Sequence, residues 1–199
     1  MIVGITGGIG SGKSTIAGQL REMGYAVYDT DSEAKRLITE DAIVRQQIEQ
    51  LFGSEAYTNG VYQTAWVAQR VFADKSLLAQ LNAIVHPAVK EDIIRWAQHI
   101  NEALPSYATS FQPTPCFVEC AILYQAGFNT LCDKVVAVTA PEEVRIDRVI
   151  TRDHSTIEKV RARMRAQDLE QNLQRADIVV NNDGTLPIAK LCETILQQI

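Results

Sequence analysis

Short apolar segments alternate with longer segments of helical periodicity along the chain. Residues 2–6 form an apolar, β-branched run that ends in a glycine-rich turn, and Ile16, Leu20 and Met23 follow at spacings of four and three. This order predicts a strand, a loop and a helix, with Gly24 in the position usual for a helix C-terminus.

Four further segments have the character of buried strands. They are short, mostly apolar and β-branched, and they are residues 26–28, 116–119, 134–139 and 177–181. Long helical stretches separate most of them, an order typical of a parallel sheet covered by helices on both faces. We therefore predict an α/β fold with a core of five parallel strands.

About 85 residues between the second and third predicted strands have little strand character. Helical patterns occupy residues 43–52, 66–72, 77–85 and 89–103, and a polar segment with prolines follows at 105–115. Because this stretch is too long for one crossover connection, it predicts a helical insertion. The predicted boundaries are 1–30, 111–140 and 175–199 for the core, 31–110 for the insertion and 141–174 for a charged, arginine-rich helical stretch.

Composition limits the classes of function. The 199 residues carry 19 basic and 24 acidic side chains, a net charge of −5, without a dense run of Lys or Arg. This argues against nonspecific binding to nucleic acid or to an anionic membrane. No apolar stretch approaches the ~20 residues of a membrane span, the N-terminus has no basic leader, and the cysteines form no CxxC pair. We expect a cytoplasmic protein with reduced thiols.

Residues 7–14, Gly-Gly-Ile-Gly-Ser-Gly-Lys-Ser, match the GxxxxGK[ST] pattern of a phosphate loop, directly after a predicted strand and before a predicted helix. The glycines let backbone N–H groups point inward at phosphate oxygens. Lys13 adds a charge for the β- and γ-phosphates, and the Ser14 hydroxyl is the expected Mg²⁺ ligand. The predicted nucleotide site consists of Gly8, Gly10, Ser11, Gly12, Lys13, Ser14 and Thr15.

The rest of the sequence narrows the class of nucleotide-binding protein. Asn181-Asn182-Asp183 lacks the lysine and the spacing of a guanine-reading NKxD motif, which disfavours a GTPase. The LSGGQ signature of transport ATPases is absent as well. Phosphoryl transfer to a small molecule remains.

Asp29 and Asp31 follow the second predicted strand. In an open parallel sheet the carboxyl ends of the strands face the ligand crevice, so two carboxylates are expected near the γ-phosphate. Asp31 is the candidate to position an alcohol and accept its proton during phosphoryl transfer. N-capping of the following helix, a common role of Asp, is the alternative.

Several motifs together resemble the dephospho-coenzyme A kinase family, which phosphorylates the ribose 3′-hydroxyl of dephospho-CoA with ATP in the last step of CoA synthesis. The likeness covers nearly the whole chain. It rests on residues 6–15, on the Asp-x-Asp of 29–31 followed by Ala-Lys-Arg, and on the segments 70–74, 81–87, 122–127, 148–153 and 176–181.

This resemblance implies a division of labour along the chain. The insertion would be the CoA-side substrate domain, and residues 141–174 would form a mobile lid. Asp31 would be the catalytic carboxylate, and Arg148 would face the phosphates of ATP bound with Mg²⁺. A cation that arrives on closure stabilises the transferring group and excludes water.

For the acceptor pocket the resemblance implies contacts from Arg70, Asn82 and His86. The alternatives for two of them are structural: Arg70 as an ordinary surface arginine, and His86 as a residue that orients the turn before Pro87. Glu119, at the end of the third predicted strand, could hold Mg²⁺ through water or have a structural partner.

Two positions depart from the family pattern. Gln125 is a neutral amide where many relatives have a carboxylate, and Asp168 stands where relatives usually carry an apolar residue. The first departure is the feature that favours a protein that binds ATP without transferring phosphate. A nucleoside or nucleotide kinase with a different acceptor is the other alternative. His99 and His154 show no spacing of metal ligands.

Overall fold

The structure is a computed structural model that describes residues 1–102, 114–165, 167 and 169–199. The chain divides into two compact units. Met1–Tyr28 and Ala97–Ile199 form the first unit, and Asp29–Trp96 forms the second. The predicted end of the insertion at residue 110 and most of the segment 105–115 lie outside the described residues, and the predicted domain boundaries stay predictions.

Both units contain helices and strands. The strands are β1 (Ile2–Gly7), β2 (Val27–Asp29), β3 (Tyr57–Thr58), β4 (Val61–Tyr62), β5 (Cys116–Glu119), β6 (Lys134–Thr139) and β7 (Ile178–Asn181). The helices are α1 (Lys13–Glu22), α2 (Thr30–Glu40), α3 (Ala42–Phe52), α4 (Thr64–Ala73), α5 (Lys75–Glu102), α6 (Glu142–Asp153), α7 (Ile157–Arg165), α8 (Leu169–Arg175) and α9 (Ile188–Gln198).

A five-stranded parallel sheet in the order β2-β5-β1-β6-β7 confirms the predicted fold class. Its central strand is β1, in which Ile5 lies opposite Glu119 of β5 on one side and opposite Val136 of β6 on the other. Each of the five strands coincides with a predicted apolar segment to within about a residue at either end. The carboxyl ends of β1, β5 and β7 carry Gly7, Glu119 and Asn181.

The apolar runs form strands because the sheet is buried under helices. Val3 and Ile5 of β1 and Phe117 of β5 are fully buried, and the same core includes side chains from α1 and α9. The helical contribution is Ile16, Leu20, Leu191, Cys192 and Ile195. Burial of such side chains is the main favourable contribution to folding, at roughly 1.5–3 kcal/mol for each large one. All four cysteines are free.

The second unit is helical but contains a hairpin that the sequence analysis missed. Tyr57 and Thr58 of β3 pair antiparallel with Tyr62 and Val61 of β4. The connecting residues are Asn59, with φ of 51°, and Gly60, with φ of 80°. Asn-Gly between aromatic and β-branched residues is a known signal for a tight hairpin, so the sequence did contain this information.

Helix α5 corrects another expectation. Residues 77–85 and 89–103 were predicted as separate helices, but one helix runs through Pro87 as far as Glu102. Val85, Val89 and Ile93 are buried at intervals of four residues, so one apolar stripe fixes both halves of the helix. There is no turn before Pro87 for His86 to orient, and that alternative is wrong.

Within the ranges that the structure describes, no helix has the length and apolar character needed to span a membrane.

Candidate active site

The phosphate loop joins β1 to α1 in the first unit, as predicted. Gly10 and Gly12 have φ of 78° and 90°, a left-handed conformation that glycine adopts without strain. Lys13 is the first residue of α1 and Ser14 the second. The loop therefore ends at the positive end of a helix, where unpaired N–H groups favour an anion.

A cleft of about 280 Å³ lies over this loop. Most of the predicted nucleotide-binding residues come together there with part of α6. The cleft is lined by Gly8, Gly10, Gly12, Lys13, Ser14, Thr15, Arg148, Val149 and Arg152. Ser11 is fully buried and does not line the cleft; its carbonyl oxygen accepts hydrogen bonds from neighbouring side chains.

Glu119 contacts two residues of the cleft from the end of β5. Its Oε1 lies 3.2 Å from Lys13 Nζ and accepts a hydrogen bond from Ser14 Oγ at 3.1 Å. The side chains of Glu119 and Lys13 are only 10% and 17% exposed. A carboxylate thus touches both the residue expected to bind phosphate and the residue expected to bind Mg²⁺.

Arg148 and Asn182 fix the shape of the loop. Arg148 Nη1 donates to the carbonyl oxygen of Asn182 at 3.0 Å and to those of Gly10 and Ser11 at 3.4 Å. Asn182, which is 2% exposed, donates from Nδ2 to Ser11 O at 2.9 Å. These bonds connect α6 and the end of β7 to the phosphate loop, so Arg148 lines the cleft and also supports its floor.

The segment predicted as a lid forms α6, α7 and α8 and reaches the tip of the loop. The side chain of Ile9 packs against a small core of Ile146, Val149 and Val160. The backbone N–H of Ile9 donates to Gln167 Oε1 at 2.7 Å. Asp168 lies outside the described residues, and the mobility of this segment stays a prediction.

Asp29 and Asp31 have different local roles in the second unit. Asp29 Oδ1 accepts hydrogen bonds from the N–H groups of Asp31 and Ser32 at 3.0 and 3.3 Å, so Asp29 is the N-cap of α2. Asp31 lies in the first turn with its side chain exposed. The capping alternative for Asp31 is therefore wrong.

Arg70, Asn82 and His86 lie on α4 and α5. The Arg70 guanidinium is stacked 3.2 Å from the centroid of the Trp66 ring and donates to the Trp66 carbonyl oxygen at 3.2 Å. Asn82 and His86 are four residues apart and share a face of α5. Partial burial lowers the pKa of His86 below its usual 6.5. The binding roles of these three residues stay predictions.

The model of the dephospho-CoA kinase family matches residues 1–187. The chain belongs to the dephospho-CoA kinase family. A dephospho-CoA kinase from Porphyromonas gingivalis is 42% identical over 174 residues, which cover 87% of this chain and 81% of that protein. The general reaction of this family is ATP-dependent phosphoryl transfer, so the protein is a kinase.

Solved structures share the fold of this chain. A crystal structure from Thermus thermophilus has a TM-score of 0.81 and 32% sequence identity, with 100% of this chain and 97% of that chain covered. A shikimate kinase from Acinetobacter baumannii has a TM-score of 0.54 and 17% identity, with 98% and 90% of the two chains covered, and shares the fold. The recognition of the family from sequence motifs is confirmed.

Arg152 lines the nucleotide cleft, but the sequence analysis did not name it as a site residue. It follows Arg148 by four residues, a spacing that places both guanidinium groups on one face of α6. Arg152 donates to both oxygens of Asp153 at 2.6 and 3.1 Å, and Arg163 donates to Asp153 at 2.8 Å. These contacts hold the pKa of Asp153 well below its usual range.

The second unit has a cavity of its own, with a volume of about 480 Å³. It lies among the hairpin, α2, α4 and α5, and its lining is mainly apolar. The lining residues are Lys35, Ile38, Thr39, Gly60, Val61, Tyr62, Thr64, Val67, Ala68, Val71 and Leu81. Sequence reasoning did not find this cavity because it depends on the missed hairpin.

Proposed function

We propose that the protein transfers the γ-phosphoryl group of ATP to the ribose 3′-hydroxyl of dephospho-CoA, giving CoA and ADP. Membership of the family supports the identity of the acceptor. The use of ATP is supported by the arrangement at the phosphate loop. There Lys13 and Ser14 begin a helix, and both contact Glu119.

The residues present fit Mg²⁺ bound together with a nucleotide. The described part of the chain has no cluster of three His, Cys, Asp or Glu side chains that could hold a metal ion by themselves. Mg²⁺ in kinases needs few protein ligands, because phosphate oxygens and water supply the others. We propose that Ser14 Oγ would hold the ion directly and that Glu119 would hold it through water. When bound with the nucleotide, the ion would supply positive charge that offsets the charge of the β- and γ-phosphates.

When the nucleotide binds, Lys13 would exchange the Glu119 carboxylate for phosphate oxygens as its anionic partner. Its ammonium group lies 3.2 Å from a Glu119 oxygen, and the β- and γ-phosphates compete for the same charge. Arg148 contributes a second positive charge from its place against the loop carbonyls. Stabilisation of a loose, negatively charged transition state by fixed cations is the main catalytic resource of such enzymes.

We assign to Asp31 the role of accepting the proton of the acceptor hydroxyl. Because Asp29 caps α2, the Asp31 carboxylate takes no part in the cap and is exposed at the start of the helix. It accepts the proton of the 3′-hydroxyl as the oxygen attacks the γ-phosphorus. Residues 141–174 would close over the nucleotide and exclude water, which otherwise hydrolyses ATP.

The apolar cavity of the second unit is our candidate for the pantetheine arm of the acceptor. Its volume of about 480 Å³ and its Ile, Val and Leu lining suit the apolar methyl and methylene groups of this flexible chain, and Lys35, Thr39 and Thr64 offer polar groups to its amides. Arg70 and Asn82 each precede or follow a lining residue, Val71 and Leu81 respectively. We propose that Arg70, Asn82 and His86 bind polar parts of dephospho-CoA.

A single incubation tests the proposed reaction. The protein is mixed with ATP, Mg²⁺ and dephospho-CoA, and mass spectrometry is used to look for a product heavier by one phosphate, whose position is then determined by NMR. A panel of nucleosides and nucleoside monophosphates is tested in parallel. Phosphorylation of one of these in place of dephospho-CoA would indicate a different small-molecule kinase. No ADP with any acceptor would indicate a nucleotide sensor.

We also propose a cytoplasmic location. The four cysteines are free, and burial raises the pKa of Cys132 to about 12 and that of Cys192 to about 11. Protonated, buried thiols without a disulfide are typical of proteins from reducing compartments. Microscopy of the full chain fused to a fluorescent protein tests this location.

A further inference from the structure

Arg145 is a buried cation in the first turn of α6. Its residue is 7% exposed, and it is not among the residues that line the nucleotide cleft. This distinguishes it from Arg148 and Arg152, which lie on the cleft surface of the same helix. The sequence contains it only as one of several arginines in a charged stretch.

The phosphate loop lies directly against Arg145. A Cβ atom added to Gly8 would be 2.5 Å from Arg145 Nη1, and one added to Gly10 would be 2.5 Å from the Arg145 carbonyl oxygen. Both loop positions can approach this closely only because glycine has no side chain. Gly8 and Gly10 also line the cleft, so Arg145 lies against loop residues that the nucleotide is expected to contact.

Arg145 forms no ion pair with an acidic side chain among the described residues. Glu142 is the acidic residue whose field acts on it, but Glu142 pairs with Arg161 at 3.6 Å. The buried Nε has no hydrogen-bond partner among the described residues, and burial lowers the pKa of the group. The first turn of a helix is moreover the positive end of its dipole, which disfavours a cation there.

A buried, unpaired charge is unfavourable unless an opposite charge comes near. The cleft over the loop is the place where the proposed nucleotide brings several negative charges at once. The field of Arg145 reaches them through the protein interior, where charges interact more strongly than in water.

We propose that Arg145 is a positioning residue that strengthens the binding of nucleotide phosphates through its charge, acting from its place against Gly8 and Gly10. The inference rests on the proposed function insofar as ATP is the ligand of the cleft. It implies that the contribution of Arg145 grows with the number of phosphates on the nucleotide. A residue that only packs against the loop would affect all nucleotides alike.

The test measures binding by calorimetry at low ionic strength without Mg²⁺, using ATP, ADP and AMP. For Arg145→Gln and for Arg145→Met we expect affinity to fall roughly tenfold or more for ATP, less for ADP and only about two- to threefold for AMP. Arg145→Lys should keep most of the ATP affinity. Arg21→Gln, which removes an exposed arginine near the opposite end of α1, is the control and should change little.

A pH series on Arg145→Lys tests the same point without a neutral variant, which matters if those variants do not fold. Burial lowers the pKa of a lysine, so raising the pH should discharge Lys and weaken ATP binding relative to the wild type. Equal losses for the three nucleotides, or no pH dependence beyond that of the wild type, would overturn the proposal. So would a wild-type protein that binds none of them. The losses of affinity could still increase from AMP to ADP to ATP while the protein fails to phosphorylate dephospho-CoA. That result would contradict only the proposed acceptor.

Discussion

At the scale of single residues, two aspartates two positions apart have different roles. Asp29 caps α2, and Asp31 is exposed in the first turn. If Asp31 accepts the proton of the acceptor hydroxyl, Asp31→Asn should leave ATP binding unchanged and lower kcat by roughly 10²- to 10⁴-fold. Steady-state kinetics with dephospho-CoA measures this.

Asp29→Asn is the matched control, because it makes the same carboxylate-to-amide change and Asn also caps helices well. It should keep a nearly normal melting temperature and a much higher kcat than Asp31→Asn. A kcat for Asp31→Asn within a few fold of the wild type would remove Asp31 from the mechanism.

Replacement of Glu119 should improve ATP binding without Mg²⁺ but impair the use of Mg²⁺ in the reaction. Glu119→Gln removes the partner of Lys13 and a negative charge from the cleft. Without Mg²⁺, ATP should therefore bind more tightly, by several fold, because Lys13 no longer has to leave a carboxylate. With Mg²⁺, the concentration needed for half-maximal activity should rise by about tenfold, because the acceptor of the metal's water ligands is weakened.

Binding and activity titrations with Mg²⁺ separate these two effects. Glu22→Gln, at an exposed position on α1, changes net charge equally and should alter neither measurement. An unchanged Mg²⁺ requirement in Glu119→Gln would mean that Glu119 only restrains Lys13.

At the scale of elements, sequence reasoning succeeded where one local signal decides the structure. The five strands are short apolar runs, and a parallel sheet covered by helices is the arrangement typical of such runs. It failed at α5, because proline is a strong local sign of a break while buried residues on both sides of Pro87 keep the helix intact. Tertiary packing prevailed over local preference there.

In the candidate site, too, residues marked by a local sequence signal were predicted, and residues placed by tertiary structure were not. Lys13 and Ser14 were predicted because the whole phosphate loop is contiguous in sequence. Asn182 and Gln167 bond to that loop from positions more than 150 residues away, and nothing in the local pattern marks them. Such partners are set by the order of the strands and by the path of α6 to α8, which a single sequence does not display.

The hairpin turn allows a clean stability test. Gly60 has φ of 80°, and a Cβ there would meet no atom within 4 Å, so Gly60→Ala changes only backbone strain. We expect a loss of about 1–2 kcal/mol in the free energy of unfolding, measured with urea. Gly18→Ala is the control inside α1, also without a neighbour within 4 Å, and it should stabilise by roughly 0.5–1 kcal/mol. Equal signs for the two variants would contradict this account of the turn.

The cavity behind the hairpin makes a second prediction at this scale. Ala68 lines the cavity from α4, whereas Ala65 lies on the same helix but is exposed and outside the lining. Ala68→Trp should raise the KM for dephospho-CoA by at least about tenfold with little change in the KM for ATP, because the indole fills space meant for the acceptor. Ala65→Trp should leave both constants near normal. If the KM for dephospho-CoA rises equally in both variants, the cavity does not bind the acceptor.

At the scale of the whole molecule, the two candidate binding regions belong to different units. The cleft at the phosphate loop is formed entirely by residues of the first unit, and the apolar cavity entirely by residues of Asp29–Trp96. The chain leaves the first unit after Tyr28 and returns at Ala97, so the two candidate regions are built from different parts of the chain. If the proposed function holds, ATP and the acceptor bind to different units.

Hydrogen exchange can test this separation directly. A bound ligand slows the opening of the region that holds it. ATP alone should slow exchange of residues 8–15 and of the first two turns of α6, with little effect on 30–73. Dephospho-CoA alone should slow exchange in α2, the hairpin and α4. Lys13→Met should remove the first effect and keep the second, since Lys13 belongs only to the nucleotide cleft. Protection of residues 30–73 by ATP alone, or of residues 8–15 by dephospho-CoA alone, would mean that the two regions do not bind independently.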